Sequence, residues 1–141
     1  MELNRRHVLL LGAGAAATAA LPLPALAEDN GLQAAIDEFT GGAAVADGGV
    51  EIGAPEIAEN GNTVPVEVAA EGASAILLLA AGNPNPGVAT FNFGKLSAAS
   101  QAKTRIRLAQ TQDLVAVAKM ADGSFAKASR AVKVTIGGCG G

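Results

Sequence analysis

The residue with the clearest chemistry is the single cysteine of the chain, Cys139, in the closing stretch VKVTIGGCGG. A free cysteine kept for packing is normally buried. This one stands between two pairs of glycine, Gly137, Gly138, Gly140 and Gly141, after a run that alternates like a β-strand. Glycines add no side chains and leave the backbone nearly free to rotate. The stretch therefore predicts a thiol on a flexible arm that reaches roughly 10 Å beyond the last strand.

The surroundings of Cys139 argue against catalysis by the chain itself. A cysteine nucleophile needs a base or a fixed positive charge, commonly a histidine, and the only histidine, His7, lies within the first 27 residues. One thiolate without imidazoles cannot complete a zinc or copper site, and the carboxylates lack calcium-loop spacing. Prenylation requires a cysteine fourth from the end, whereas this one is third. We therefore predict no catalytic residue, no metal and no cofactor.

Three roles remain for the thiol. It could carry a substrate covalently to other enzymes, it could form an intermolecular disulfide as an odd cysteine in a secreted protein often does, or it could be incidental to a loose terminus. An internal disulfide is excluded because the chain has one cysteine. The carrier role is favoured, because an exposed thiol without a use invites oxidation in an oxidising compartment.

Residues 1–27 read as an export signal. Arg5 and Arg6 precede an apolar stretch of 13 residues that ends at Ala20, and Ala25-Leu26-Ala27 resembles a cleavage site. That stretch falls short of the ~20 residues that span a bilayer as a helix. The adjacent arginines favour the twin-arginine route, which predicts a periplasmic protein that is exported folded.

The remaining chain, residues 28–141, has 114 residues and the length of one domain. Two of the ten basic and one of the 13 acidic residues lie in the leader, which leaves eight against 12 and a net charge of −4. This balance argues against nucleic acid or an anionic membrane as a partner. The absence of Trp and Tyr, with only four Phe, also disfavours stacking platforms for bases.

An N-terminal helix is predicted within residues 28–42. A single apolar stripe at helical spacing comprises Leu32, Ala35, Ile36 and Phe39. Asn30 is a candidate N-cap, and the Gly41-Gly42 pair is a candidate end. The stripe is best explained as a lid on a sheet.

Residues 43–136 alternate with period two and predict an antiparallel, immunoglobulin-like β-sandwich. Asn60-Gly61 and Asp122-Gly123 each predict a tight hairpin, and Pro65 predicts an edge or bulge in its strand. Inward-facing residues are predicted to be Val64, Val66, Val68, Ile106, Leu108, Val132, Val134 and Ile136.

Two stretches of the sandwich leave alternatives open. Residues 76–79 are consecutive and apolar, so both faces of that strand need cover. The helix or a partner subunit could supply it. The loop AGNPNPG holds two Asn-Pro steps and is either a docking surface beside the tail or, as we favour, a rigid connection between sheets.

The leader, the small helix-capped sandwich and the terminal GGCGG resemble the SoxY family of sulfur carriers in periplasmic thiosulfate oxidation. The resemblance covers essentially the whole exported chain, and residues 137–141 agree with the family motif. It implies a carrier subunit, not an enzyme, with Cys139 as the point of substrate attachment. An alternative is a secreted protein-binding sandwich in which Cys139 forms only intermolecular disulfides.

The resemblance also implies partners. A SoxZ-like β-sandwich would form a heterodimer with the chain. A haem-containing enzyme would conjugate thiosulfate to Cys139, a hydrolase would release sulfate, and a sulfane dehydrogenase would oxidise the remaining sulfur. The predicted organisation is thus a leader (1–27), a helix (28–42), a sandwich (43–136) and an arm (137–141).

Overall fold

The computed structural model of the chain describes residues 30–138. Within them there are one helix and nine strands. The strands form two sheets that pack face to face, which confirms the predicted mainly β sandwich. The elements are α1 (Leu32–Thr40), β1 (Val45–Asp47), β2 (Glu51–Gly53), β3 (Ile57–Asn60), β4 (Val64–Ala69), β5 (Ala73–Ala80), β6 (Gly87–Asn92), β7 (Gln101–Ile106), β8 (Gln112–Met120) and β9 (Phe125–Ile136). None of the helices in the described part of the chain is of a length and hydropathy that would cross a bilayer.

The larger sheet has the order β1-β9-β8-β5-β6, and the smaller sheet has the order β2-β4-β7. Most neighbouring strands are antiparallel, as predicted. The exceptions involve β9, whose second edge pairs in parallel with β1 and then, nearer its end, with β3. The outer edge of β9 is therefore paired with β1 near its start and with β3 near its end.

The core between the sheets follows the predicted period of two. Val64, Val66 and Val68 of β4 are buried while Pro65 is exposed, and Ile106 is buried on β7. Pro65 pairs with β7, whereas β2 covers only the far end of β4, so the proline lies at a local edge as expected. The apolar face of β9 starts in the core and then leaves it: Val132 is buried, Val134 is half-buried and Ile136 is exposed.

The consecutive apolar run in β5 is covered on both faces within this chain. Ile76 and Leu78 face the smaller sheet, whereas Leu77 and Leu79 lie beneath α1. The predicted stripe of the helix supplies the cover through Leu32, Ala35, Ile36 and Phe39. The helix, and not a partner subunit, is therefore the lid that this strand requires.

The ends of α1 follow the prediction only in part. Gly41 ends the helix in the left-handed region, with φ of 66°. At the other end, the N-cap is Gly31 and makes no side-chain capping bond, so the prediction of an Asn30 cap was wrong. The Asn30 amide instead donates to the carbonyls of Ala81 (2.7 Å) and Asn83 (2.9 Å), which ties the start of the helix to the loop after β5.

One of the two predicted hairpins is present. β8 and β9 are antiparallel neighbours joined through Asp122 and Gly123, and Gly123 has a φ of 86°. The Asp122 carboxylate accepts hydrogen bonds from the Ser124 hydroxyl (2.6 Å) and the Ser124 N–H (2.8 Å). These bonds favour the ionised form and lower the pKa of Asp122.

The hairpin predicted at Asn60-Gly61 was wrong. β3 does not pair with β4; it pairs in parallel with β9, where Ala58 stands opposite Val134. An Asn-Gly pair is only a local turn signal, and here long-range pairing with the final strand prevails over it. Gly61 also lacks the positive φ that a tight two-residue hairpin would require of it.

Candidate functional site

Some of the predicted site residues lie within the described residues 30–138, and others lie outside them. Cys139, Gly140 and Gly141 lie outside the described residues, as do the export residues Arg5 and Arg6. Gly137 and Gly138 are described, and they follow β9 directly.

The last four residues of β9 extend beyond its antiparallel partner. Pairing with β8 ends where Val132 meets Gln112, whereas β3 continues along the other edge as far as Ile136. On the vacated edge, the hydroxyl of Thr111 takes the place of the ladder, because it accepts a hydrogen bond from the Val134 N–H at 2.9 Å. The end of β9 is thus held on both edges.

Two main-chain hydrogen bonds connect the end of β9 and the residues after it to two neighbouring segments, and a third bond joins those segments to each other. The Gly61 N–H donates to the Ile136 carbonyl (2.7 Å), the Leu108 N–H donates to the Gly61 carbonyl (2.8 Å), and the Gly138 N–H donates to the Leu108 carbonyl (2.8 Å). We call residues 136–138 the arm root, and we call Gly61, Leu108 and Ala109 the cradle. The root is held through its main chain, since the Ile136 side chain is exposed.

The glycines of the arm root are required by close packing. A Cβ on Gly137 would overlap the carbonyl oxygen of Ala109, and a Cβ on Gly138 would come within 2.7 Å of the Gly61 oxygen. Neither glycine has a positive φ. The predicted flexible arm includes both residues because glycine rotates freely. In the structure they lie against the body, and their lack of a side chain permits that contact.

A buried polar network holds the cradle, and sequence analysis did not find it. Asn83, 3% exposed, donates from its amide to the Arg107 carbonyl (2.9 Å). Its side-chain oxygen accepts from the Ala109 N–H (2.9 Å) and from the Gln112 side chain (2.8 Å). The network ties the Asn-Pro loop to the segment between β7 and β8, which supports the interpretation of that loop as rigid. The loop joins β5 to β6, which are neighbours in the larger sheet, so the prediction that it connects the two sheets was wrong. An asparagine in a turn-rich stretch carries no signal of such burial.

Replacing Asn83 with alanine is expected to lower the free energy of unfolding by about 2 to 4 kcal/mol, because Arg107, Ala109 and Gln112 would each lose a hydrogen bond to this buried side chain. Urea unfolding measures the change. Asn85→Ala, at an exposed position in the same loop, is the matched control and should cost less than about 0.5 kcal/mol. Equal costs for the two variants would show that the network does not hold the loop.

The groups that bind the arm root are main-chain amides and carbonyls, and the Thr111 hydroxyl binds Val134 shortly before it. They are suited to holding a segment in place and do not titrate near neutral pH. In residues 30–138 no group of three or more His, Cys, Asp or Glu side chains could bind a metal ion. The described site is therefore a point of attachment for the chain that bears the cysteine.

A family model described as "Sulfur oxidation protein SoxY" matches residues 36–139. The structure is similar to that of the sulfur carrier protein SoxY from Chlorobium limicola f thiosulfatophilum, at 37% identity and a TM-score of 0.66, over 73% of this chain and 90% of that one. No curated protein matches the chain.

More distant structures share the fold alone. A superoxide reductase (neelaredoxin) from Ignicoccus hospitalis is 20% identical with a TM-score of 0.54, over 62% of this chain and 80% of that one. A hypothetical protein from Pyrococcus horikoshii OT3 is 15% identical with a TM-score of 0.53, over 68% of this chain and 98% of that one.

Proposed function

Because the chain belongs to the SoxY family of sulfur oxidation proteins, we propose that it carries the sulfur intermediates of thiosulfate oxidation covalently on the thiol of Cys139. The observation that carries this proposal is the extent of the family match, which runs through the sandwich and ends at Cys139. The similar structure from Chlorobium limicola is that of a sulfur carrier protein. Both support a carrier subunit and not an enzyme.

The first step of the proposed cycle is an oxidative conjugation. The Cys139 thiol loses its proton, its sulfur bonds to the outer sulfur of thiosulfate, and two electrons pass to the haem-containing partner. Water then attacks the terminal sulfonate sulfur in a hydrolase, which releases sulfate and leaves a persulfide on Cys139. A sulfane dehydrogenase then oxidises that remaining outer sulfur to a sulfonate: three water molecules supply the oxygen atoms, and six electrons pass to the dehydrogenase as protons are released. This chain supplies the attachment point, and each partner supplies its own activation.

In this proposal, the residues beyond the arm root present the Cys139 thiol to the partner enzymes. Gly140 and Gly141 carry no side chains, so the chain beside Cys139 is thin enough to enter a narrow channel in a partner enzyme. Gly138 is hydrogen-bonded to the cradle, and Cys139 is the next residue. Presentation of the thiol is therefore proposed to depend on the link between the hydrogen-bonded Gly138 and Cys139.

Two further parts of the proposal concern assembly and location. A SoxZ-like subunit would form a heterodimer with the chain, and this rests on the family, because β5 is covered by α1. Export to the periplasm through the twin-arginine route rests on Arg5 and Arg6 of the leader. Folded export fits a carrier that leaves the cytoplasm with its partner bound.

Intact-mass spectrometry of the chain purified from its native periplasm tests the carrier proposal. We expect adducts on Cys139 with the masses of added sulfur or thiosulfonate. Such adducts would be lost after reduction of the sulfur–sulfur bond. The alternative of a disulfide-forming protein-binding module predicts a doubled mass that reductant reverses. A chain with neither kind of adduct would contradict the carrier proposal.

A further inference from the structure

Gly61 contacts the arm root on one side and the rest of the cradle on the other. Its N–H binds the Ile136 carbonyl at 2.7 Å, and its carbonyl accepts from the Leu108 N–H at 2.8 Å. Leu108 in turn accepts from the Gly138 N–H. Gly61 therefore lies at the junction of three chain segments, one of which leads directly to the cysteine.

The space around Gly61 admits no side chain. A Cβ there would overlap the Leu108 carbonyl oxygen and would lie 2.7 Å from the Gly138 nitrogen and 2.9 Å from the Ile136 oxygen. All three are main-chain atoms, which cannot rotate away as a flexible side chain could. Since the φ of Gly61 is not positive, the backbone conformation itself does not require glycine. Contact with the arm root and Leu108 is what requires it.

The body side of this junction is the firmer side. Leu108 is fully buried, and Asn83 binds the residues on either side of it, Arg107 and Ala109. The arm root is held less firmly, because the last hydrogen bond described along it is the one that the Gly138 N–H donates. A methyl group added at position 61 would overlap the carbonyl oxygen of Leu108, and displacement of that packed core residue is costly. We therefore expect the main chain of residue 61 to move away from Leu108 and to displace the arm root bonded to it.

We propose that Gly61 is a positioning residue for the carrier thiol: by clamping residues 136–138 against Leu108, it fixes the point and direction at which the chain leaves the sandwich. This inference rests on the proposed function of Cys139. A fixed departure point raises the fraction of carrier molecules that present the thiol in a usable direction. When that fraction falls, the apparent affinity of a partner enzyme for the carrier falls in proportion.

The expected effect of Gly61→Ala is a change in KM without a matching change in kcat. The KM of the conjugating enzyme for the carrier should rise about tenfold if the competent fraction falls to about a tenth. Its kcat should change little, because a carrier that has engaged the partner reacts as before. The rate at which iodoacetamide alkylates Cys139 should not fall, since a small reagent does not depend on the direction of the arm.

Hydrogen exchange tests the clamp independently of any enzyme. In Gly61→Ala the amide of Gly138 should exchange faster than in the wild type, whereas amides in the centre of β5 and β8 should not. Gly87→Ala is the matched control, because a Cβ at Gly87 would meet nothing within 4 Å and its φ is not positive. That variant should keep wild-type exchange and wild-type KM.

A second variant keeps the test valid if Gly61→Ala does not fold. Gly138→Ala brings its Cβ within 2.7 Å of the Gly61 oxygen from the root side and should produce the same faster exchange and higher KM. Slow Gly138 exchange in Gly61→Ala, or a wild-type KM in the two variants, would overturn the inference. Failure of the proposed function would look different, because the wild-type chain itself would then accept no thiosulfate.

Discussion

Replacement of Cys139 by serine is expected to abolish thiosulfate oxidation by the reconstituted system and to leave the fold unchanged. A serine hydroxyl is close in size to the thiol but cannot form the sulfur–sulfur bond on which each proposed step depends. No second cysteine is present to take over. The measurement is thiosulfate-dependent turnover with all partner enzymes present, together with urea unfolding of the variant.

A chemical control is available because the chain has a single cysteine. Alkylation of the wild type with iodoacetamide modifies that one thiol and should inactivate the carrier as completely as the serine variant does. A mixed disulfide between Cys139 and a small thiol should also block turnover, and reduction of that disulfide should restore it. Turnover retained by the serine variant would reject Cys139 as the attachment point.

Truncation of Leu78 and of Leu79 to alanine is expected to destabilise the protein by about 3 kcal/mol in each case. The two side chains are fully buried on opposite faces of β5. Leu78 belongs to the core between the sheets, whereas Leu79 belongs to the layer beneath α1. Each truncation removes apolar contact and leaves a cavity, so the two costs should be similar. Urea unfolding of the isolated chain measures them.

Leu96→Ala is the matched control, because the Leu96 side chain is 100% exposed. The same chemical change there should shift the free energy of unfolding by less than about 0.5 kcal/mol. If Leu79→Ala behaved like Leu96→Ala, α1 would not be the lid of this strand in solution. The second face of β5 would then be free for another subunit, and the account of the helix would be wrong.

Several parts of the fold could be predicted because the signal is local. The spacing of Leu32 to Phe39 fixes one face of a helix, and the alternation of Val64, Val66 and Val68 fixes one face of a strand. Asp122 and Gly123 join two strands that are neighbours in sequence and in space. In each case the residues that carry the pattern are also the residues that make the contacts.

Other parts depend on pairing between distant segments. Asn60 and Gly61 carry a hairpin signal, yet their partner is the end of β9, more than 70 residues later in the chain. No local pattern distinguishes a glycine that turns from one that permits close approach. The burial of Asn83 could not be predicted for the same reason, because its partners Arg107 and Ala109 lie in the connection between β7 and β8.

The candidate site divides in the same way. The identity of Cys139 as the reactive residue follows from counts and from its glycine neighbours, and it stays a prediction because the residue lies outside the described part of the chain. The role of Gly137 and Gly138 could not be derived from composition. Their contacts with Ala109 and Gly61 exist only after the two sheets have assembled.

The most direct test of the carrier account is peptide-level mass spectrometry after a single conjugation reaction. The purified chain, thiosulfate and the haem-containing partner are combined without the hydrolase, and the C-terminal peptide is analysed. The account predicts one thiosulfonate group per chain, located on Cys139, with two electrons transferred to haem for each adduct. Electron transfer with an unmodified C-terminal peptide, or an adduct located elsewhere in the chain, would contradict it.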